Sequence, residues 1–316
     1  MPSVTRLQIT PLARTFAAEV EGIDFSNPID DQLFLELKDA VHKYGVVILR
    51  KTTLDDDAAI SLGRRFGELD SVKAHRLAGR AMRIPNDEIF DVSNLDDKSQ
   101  VVTAKDPNRI ASANGNALWH ADGAFNPRRT GVSILRAVEL PPKGTGGHTE
   151  YLDSRAAYDD LSDEKKRQIE GLVGCNSLFH NRKTANPDSP LFLDIDPAKH
   201  PLAKHKIAQL HEMSGRMNLY ITSYTHHIDG MPLEEGQALI KEIFEHCQQD
   251  KYKFVHHWHN NNDVAIWDNC AVLHRATHGE YEGKYARDMR RVSVFDTGST
   301  AYGENDVSTY WQQGLP

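Results

Sequence analysis

The sequence is poor in cysteine: Cys175, Cys247 and Cys270 are the only three, widely separated in a chain of 316 residues. None forms the C-x-x-C spacing of structural zinc or redox sites, and so sparse a set excludes a disulfide-stapled scaffold. Long apolar runs are missing too. No stretch reaches the roughly 18 consecutive apolar residues that span a bilayer. The opening MPSVTRLQITPLARTF has no long apolar core after its basic residues. A cytoplasmic protein without membrane association is therefore the expectation. Nor is positive charge in surplus: 45 acidic against 37 basic residues give a formal net charge of −8. This argues against a general affinity for nucleic acid, so an anionic ligand has to be caught locally. Internal repeats and low-complexity tracts are absent as well.

What is present is the composition of an ordinary globular protein, 39% hydrophobic and 26% charged, long enough for a well-buried core. Sixteen histidines are many, but adjacent pairs such as His226/His227 and His256/His257 show that number alone identifies no site.

The chain opens on an alternating segment, Leu7 to Phe25, read as an entry strand. Asp30 or Asp31 caps a helix through Tyr44, ended by Gly45. Val46–Leu49 follows as a buried strand and Leu54 to Phe66 as a second helix. From Asp70 to Ala117 the pattern is polar and turn-rich, interrupted by an apolar strand at Ile89–Ser93, and is read mostly as long loops of the kind that cover active sites. Strands are expected at Ser133–Val138, Thr149–Tyr151, Asn218–Ile221, Phe254–Trp258, Val264–Trp267 and Arg291–Phe295. Helices are expected after Ser154, from Asp163 to Leu172 and from Glu234 to Cys247. Asn181 to Lys206, proline-rich and aperiodic, reads as an insertion or lid. The fold class expected is α+β, mainly β: a double-stranded β-helix or jelly-roll core with helices packed outside and long active-site loops. Residues 1–316 are read as a single domain.

The most informative stretch is Leu118-Trp119-His120-Ala121-Asp122. Side chains two apart on a strand share a face, so the imidazole and the carboxylate can reach one metal ion. The best third ligand is His274, at the end of the apolar stretch that begins at Ile266. Two histidines and one carboxylate leave three octahedral positions open, as a bidentate 2-oxo acid and oxygen require. Beyond His274 come Arg287 and Arg291, on one face of a strand with Met289. Arginine is the side chain best suited to grip a carboxylate through two parallel hydrogen bonds.

Taken together these motifs resemble the taurine dioxygenase and 2,4-dichlorophenoxyacetate dioxygenase family of iron(II)/2-oxoglutarate oxygenases. The likeness covers nearly the whole chain: Glu21-Gly22-Ile23-Asp24-Phe25, Gly45-Val46-Val47-Ile48, Trp119 to Asp122, Gly146-Gly147-His148-Thr149, Trp267-Asp268-Asn269, His274-Arg275-Ala276 and Arg287 to Arg291. Thr149 to Tyr151, Ser154 to Tyr158 and Asp229 to Pro232 look nearer the phenoxyacetate branch. The resemblance implies Fe(II) held by His120, Asp122 and His274, with 2-oxoglutarate and O2 as co-substrates. It implies that Arg291 and Thr149 hold the distal carboxylate of 2-oxoglutarate, that Arg287 lies near its C1 carboxylate and the substrate anion, and that Asn116 faces substrate or co-substrate. Trp119 and Trp267 are read as packing residues.

The implied activity is oxidation of an unactivated C–H bond, by hydroxylation, desaturation or ring closure, with release of succinate and CO2. The substrate expected is small and anionic, such as an amino acid or an aryloxy acid. Two other classes remain open at this point. One is a catalytically silent metal-binding barrel that binds a small molecule, since the same ligands can hold zinc. The other is a nucleic-acid demethylase, which would need a basic groove that the acidic balance does not promise. A homo-oligomer is left open.

Overall fold

The computed structural model describes residues 7–73, 82–103 and 107–309. Its strands are β1 (Gln8–Pro11), β2 (Ala18–Glu21), β3 (Val46–Leu49), β4 (Phe90–Asp91), β5 (Thr130–Glu139), β6 (Thr149–Asp153), β7 (Val173–Asn176), β8 (Ala203–Lys206), β9 (Ala208–His211), β10 (Arg216–Leu219), β11 (Thr225–Ile228), β12 (Lys253–His256), β13 (Val264–Asp268), β14 (Val272–Ala276) and β15 (Asp288–Phe295). The helices are α1 (Asp31–Tyr44), α2 (Asp56–Phe66), α3 (Pro107–Asn116), α4 (Ser154–Asp159), α5 (Asp163–Ile169), α6 (Leu178–Ala185) and α7 (Leu233–Cys247).

Local chemistry sets the first elements. The Asp30 carboxylate accepts from Leu33 N at 2.8 Å and closes the start of α1, and Asp55 does the same for α2 through Ala58 N at 2.8 Å. On α1 the apolar positions Phe34, Leu37, Ala40 and Val41 share one buried face. Between the two helices, β3 is apolar at every position and buried at every position, as a strand covered on both faces must be.

Seven strands form the main sheet in the order β1-β2-β3-β13-β5-β15-β4. All pairs are antiparallel except β2 with β3. Side-chain alternation divides this sheet between two cores. Val47, Leu49, Ile134, Val264, Ile266, Val292 and Val294 pack with α1 and α2. Val46, Ile48, Leu135, Ala265, Trp267 and Met289 point the other way and pack with Tyr151 and Val272 of a three-stranded sheet, β12-β6-β14. The far side of that smaller sheet, Leu152 and Leu273, is covered by Leu239, Ile240 and Ile243 of α7. The order of layers is thus helix, large sheet, small sheet, helix, a mixed α/β architecture. A second three-stranded sheet, β11-β7-β8, and the β9/β10 hairpin extend it.

Several expectations need correction. The stretch from Asp70 to Ala117 is not all loop, because α3 occupies Pro107–Asn116; residues 74–81 and 104–106 lie outside the described residues. Its buried positions are Ala111 and Gly115, four apart, so the face that packs carries no large apolar side chain and produces no hydrophobic periodicity. The strand expected at Ile89–Ser93 shortens to β4, two residues. The segment Asn181 to Lys206 is not wholly an insertion: it begins inside α6 and ends in β8, and Phe192 within it is fully buried. Asp153, not Ser154, caps α4, accepting from Arg155 N and Ala156 N. The helix from Asp163 ends at Ile169.

The packing generates a stability prediction. Ile266 lies in β13, bonded on both sides to β3 and β5, and is completely buried. Ile266→Ala is expected to cost about 2–5 kcal/mol in a urea unfolding titration. A loss below about 1 kcal/mol would contradict a closed core at that position.

Candidate metal centre

His120, Asp122 and His274 converge between the two facing sheets, their ligand atoms within 4.8 Å of one another. The segment carrying His120 joins β14 through two reciprocal backbone hydrogen bonds, His120 N to His274 O at 2.9 Å and His274 N to His120 O at 2.8 Å. The imidazoles therefore start from directly opposed backbone positions, with ring centroids 4.2 Å apart. Both present Nε2 to the carboxylate: His120 Nε2 is 3.9 Å from Asp122 Oδ1, and His274 Nε2 is 3.7 Å from Asp122 Oδ2. His120 Nδ1 donates to the Leu118 carbonyl at 2.7 Å, which fixes the tautomer and leaves Nε2 its lone pair. Burial pushes the pKa of both imidazoles below the usual range, so both are neutral, the form that ligates a metal.

Asp122 is held more elaborately. Its Oδ2 accepts from Ser133 Oγ at 2.8 Å and its Oδ1 from Arg291 Nη1 at 2.6 Å, while its own amide donates to Asn269 Oδ1 at 2.9 Å. Burial pushes the carboxyl up, but the charge of Arg291 beside it and the Ser133 hydrogen bond favour the carboxylate and keep its pKa below the usual range. Asn269 is itself fixed, since Oδ1 also accepts from Trp267 Nε1 at 3.0 Å and Nδ2 donates to Ser133 Oγ at 3.0 Å and Gly131 O at 3.2 Å. Trp267 packs against His274, ring centroids 4.7 Å apart, and Arg275 lies over Trp119 at 4.4 Å, so both tryptophans are packing residues as expected. A deprotonated carboxylate and two neutral imidazoles, the tautomer of His120 fixed by Leu118, fit a divalent first-row metal.

The two arginines take different partners. Arg291 is the one at Asp122, whereas Arg287 Nη2 donates to Gly147 O at 3.1 Å, two residues before Thr149. Gly147 has a φ of +78°, and a Cβ there would come within 3.0 Å of Arg287 Nε, so glycine is what admits the guanidinium. Arg287 is buried, its charged form disfavoured by burial, its Nε has no partner, and no ion pair among the described residues compensates it. Thr149 is buried at the start of β6 with its hydroxyl accepting from Trp258 Nε1 at 3.1 Å. Asn116 ends α3 and accepts from Arg182 Nη2 at 3.3 Å.

Reading the residues did not single out Ser133, Tyr224 or Arg182, and used Asn269 only as part of a motif. No ligand spacing links them to the triad, and only the folded chain brings them there. It also missed a second cluster of two histidines and a carboxylate. His42 Nδ1 and His211 Nε2 donate to Asp268 Oδ2 at 2.6 and 2.8 Å, Cys270 N donates to Oδ1 at 2.9 Å, and His211 Nδ1 pairs with Ser214 Oγ at 2.6 Å. Its hydrogen bonds are met internally, by His42, His211 and the Cys270 amide.

Comparison with known proteins agrees with this geometry. Residues 8–293 match the model of the taurine catabolism dioxygenase TauD, TfdA family. The chain is 31% identical over 290 residues to the alpha-ketoglutarate-dependent 2,4-dichlorophenoxyacetate dioxygenase of Cupriavidus pinatubonensis, covering 90% of this chain and 96% of that enzyme. It is 26% identical to pentalenolactone F synthase of Streptomyces arenae, covering 92% and 96%. The solved structure of AAD-2 in complex with Mn(II) and N-oxalylglycine superposes with a TM-score of 0.80 at 29% identity, covering 93% of this chain and 98% of that one. The chain belongs to the TauD, TfdA family and is an α-ketoglutarate-dependent dioxygenase. Its likeness lies on the phenoxyacetate side, and the alternative of a silent binding barrel finds no support among these relatives. Among the described residues no helix is long and apolar enough to cross a membrane.

Ser133 yields a direct test. Ser133→Ala removes one of the two side-chain hydrogen bonds that the Asp122 carboxylate accepts and is expected to weaken ferrous-ion affinity about 10- to 100-fold. An unchanged midpoint in an anaerobic metal titration would take Ser133 out of that role.

Proposed function

We propose that this protein uses Fe(II), held by His120, Asp122 and His274, and α-ketoglutarate to oxidise an unactivated C–H bond of a small carboxylate-bearing molecule, releasing succinate and CO2. The observation that carries the reading is the convergence of the three donors on one buried point, with Arg287 buried beside Gly147, two residues before Thr149, and its Nε without a partner. A ferrous ion there would supply oxygen activation coupled to decarboxylation of the co-substrate.

The chain's own residues have distinct tasks in this reading. Arg287 and Thr149 take the distal carboxylate of α-ketoglutarate at the start of β6, where Arg287 reaches Gly147 O. Arg291 touches Asp122 and so acts beside the metal, on the C1 carboxylate and on the aim of the aspartate itself. This exchanges the roles that the resemblance implied for the two arginines. A diacid that chelates through one end must present its other carboxylate several bonds away, and the arginine in contact with a ligand cannot be the remote clamp. Burial of all three donors keeps bulk water from competing for the coordination positions.

The facing sheets are read as a double-stranded β-helix, and the chain as one dioxygenase domain. β13 lies between β3 and β5, so neither half of the sequence completes the large sheet alone. The family match over residues 8–293 supports the same reading. Relatives named for 2,4-dichlorophenoxyacetate and for pentalenolactone F show that the framework does not dictate the substrate.

Anaerobic addition of Fe(II) and α-ketoglutarate is expected to produce the visible charge-transfer band of the chelate. Asp122→Ala should abolish both the band and substrate-coupled succinate release; a correctly folded wild-type protein without a band would overturn the proposal. Arg287→Ala is expected to weaken α-ketoglutarate binding by about 2–5 kcal/mol, the scale for truncating one partner of a buried charge pair. An unchanged affinity would return the distal clamp to Arg291.

A further inference from the structure

Arg182 is a second buried guanidinium with no acid beside it. It projects from α6 across the end of α3, where a Cβ on Gly115 would lie 1.9 Å from Nη1. The side chain is 7% exposed and forms no ion pair among the described residues. Nη1 donates to Asn181 Oδ1 at 2.5 Å, Nη2 to Asn116 Oδ1 at only 3.3 Å, and Nε has no partner. The edge formed by Nε and Nη2, which a carboxylate grips with two parallel hydrogen bonds, is therefore the poorly satisfied one. Burial disfavours its charged form, and the Tyr224 hydroxyl, hydrogen-bonded to it, only partly offsets this.

The arginine is not needed to fasten α3 to α6. Asparagines do that: Asn181 Nδ2 donates to Gly115 O at 3.2 Å, Asn114 Nδ2 to Asn186 Oδ1 at 2.7 Å, and Asn186 Nδ2 to Ala111 O at 3.3 Å. Keeping an unpaired cation in the interior costs stability that a neutral side chain would not. Its surroundings lead to the metal centre. Tyr224 stands edge-on to His120 at 5.9 Å, and the charge of Arg182 reaches His120. Arg287 and Arg291 come from the β15 side, whereas Arg182 comes from the helical side formed by α3 and α6.

We infer that Arg182, with its Nε/Nη2 edge oriented by Asn116 and Tyr224, binds the carboxylate of the primary substrate and selects acids over neutral analogues. This rests on reading the triad as the metal centre. With a ferrous ion and a dianionic co-substrate in place, three guanidinium groups and one aspartate still leave the interior net positive, and an anionic substrate lowers that excess.

The test uses the full chain loaded anaerobically with Fe(II) and α-ketoglutarate. The probes are 2,4-dichlorophenoxyacetate, phenoxyacetate and benzoate, each paired with its amide, and binding is followed by intrinsic tryptophan fluorescence. The wild type is expected to prefer at least one acid over its amide tenfold or more. Arg182→Gln should erase that preference while the α-ketoglutarate chelate band titrates as before, and Arg182→Lys should restore part of it. Tyr224→Phe, which keeps the guanidinium but removes its hydroxyl partner, should lower the preference severalfold and serves if Arg182→Gln does not fold. A normal band with the acid preference intact in Arg182→Gln, or in Tyr224→Phe where that variant serves, overturns the inference alone, as does a wild type that prefers none of the acids. Absence of the band in the wild type overturns the metal-centre reading and this inference with it.

Discussion

The site depends on a pair of backbone hydrogen bonds. His120 and His274 exchange amide and carbonyl across the gap between a short extended segment and β14, and everything else about the centre follows from that exchange. It opposes two imidazoles whose positions in the chain are remote. It also sets Asp122, two residues further on, against Ser133 of β5 and Arg291 of β15. The small sheet thus supplies His274, the large sheet supplies the groups that hold the carboxylate, and the His120 segment bridges the two. His274 is oriented by its strand, His120 by its bridge to that strand, and Asp122, in the turn that follows, by its partners on β5 and β15, which is how ligand atoms stay within the few ångströms a metal tolerates.

Charge in this interior is arranged around a shortage of acids. Asp122 is the only carboxylate of the triad, yet the charges of Arg291 and Arg182 both reach His120, and Arg287 is buried beside Gly147. Arg291 has an internal partner; the other two have amides, carbonyls and a phenol but form no ion pair among the described residues. Elsewhere the fold pairs its buried arginines: Arg83 meets Asp91 and Asp288, and Arg129 meets Asp296. The contrast marks the unpaired groups as waiting for anions from outside the chain.

The convergence of the three candidate donors was legible because their chemistry is local in kind, a His-x-Asp motif and a histidine closing an apolar strand, although Asp122 stands in a turn and not on a strand with His120. Helices with large apolar faces, such as α1 and α7, were legible for the same reason, as was the buried strand β3. What could not be read was whatever rests on small or polar residues meeting in space. The face of α3 is built from Ala111 and Gly115, so its periodicity carries no hydrophobic signal. Strands β7, β8, β9 and β11 are short and rich in His, Asn, Lys and Gln, and resemble loops until their partners are known. Arg287 stands just before β15 rather than on it with Arg291, so the two do not share one strand face as expected; the register of β15 with β5, including a shift between Asp288 and Met289, decides which of them faces Asp122. Asn269 and Ser133 act through one another, a relation invisible in one dimension.

The placement of β13 has a bearing on how the chain reaches this structure. β3 and β5 never touch in the large sheet; the strand that joins them begins at Val264. During synthesis from the N-terminus, both wait with open edges until most of the polypeptide has been made, and the main sheet cannot close before then. The same late strand runs on into Asn269, and β14, which follows it, brings His274. Closure of the sheet and assembly of the centre are thus one event in the growing chain, and a ribosome-bound fragment ending before β13 would have neither.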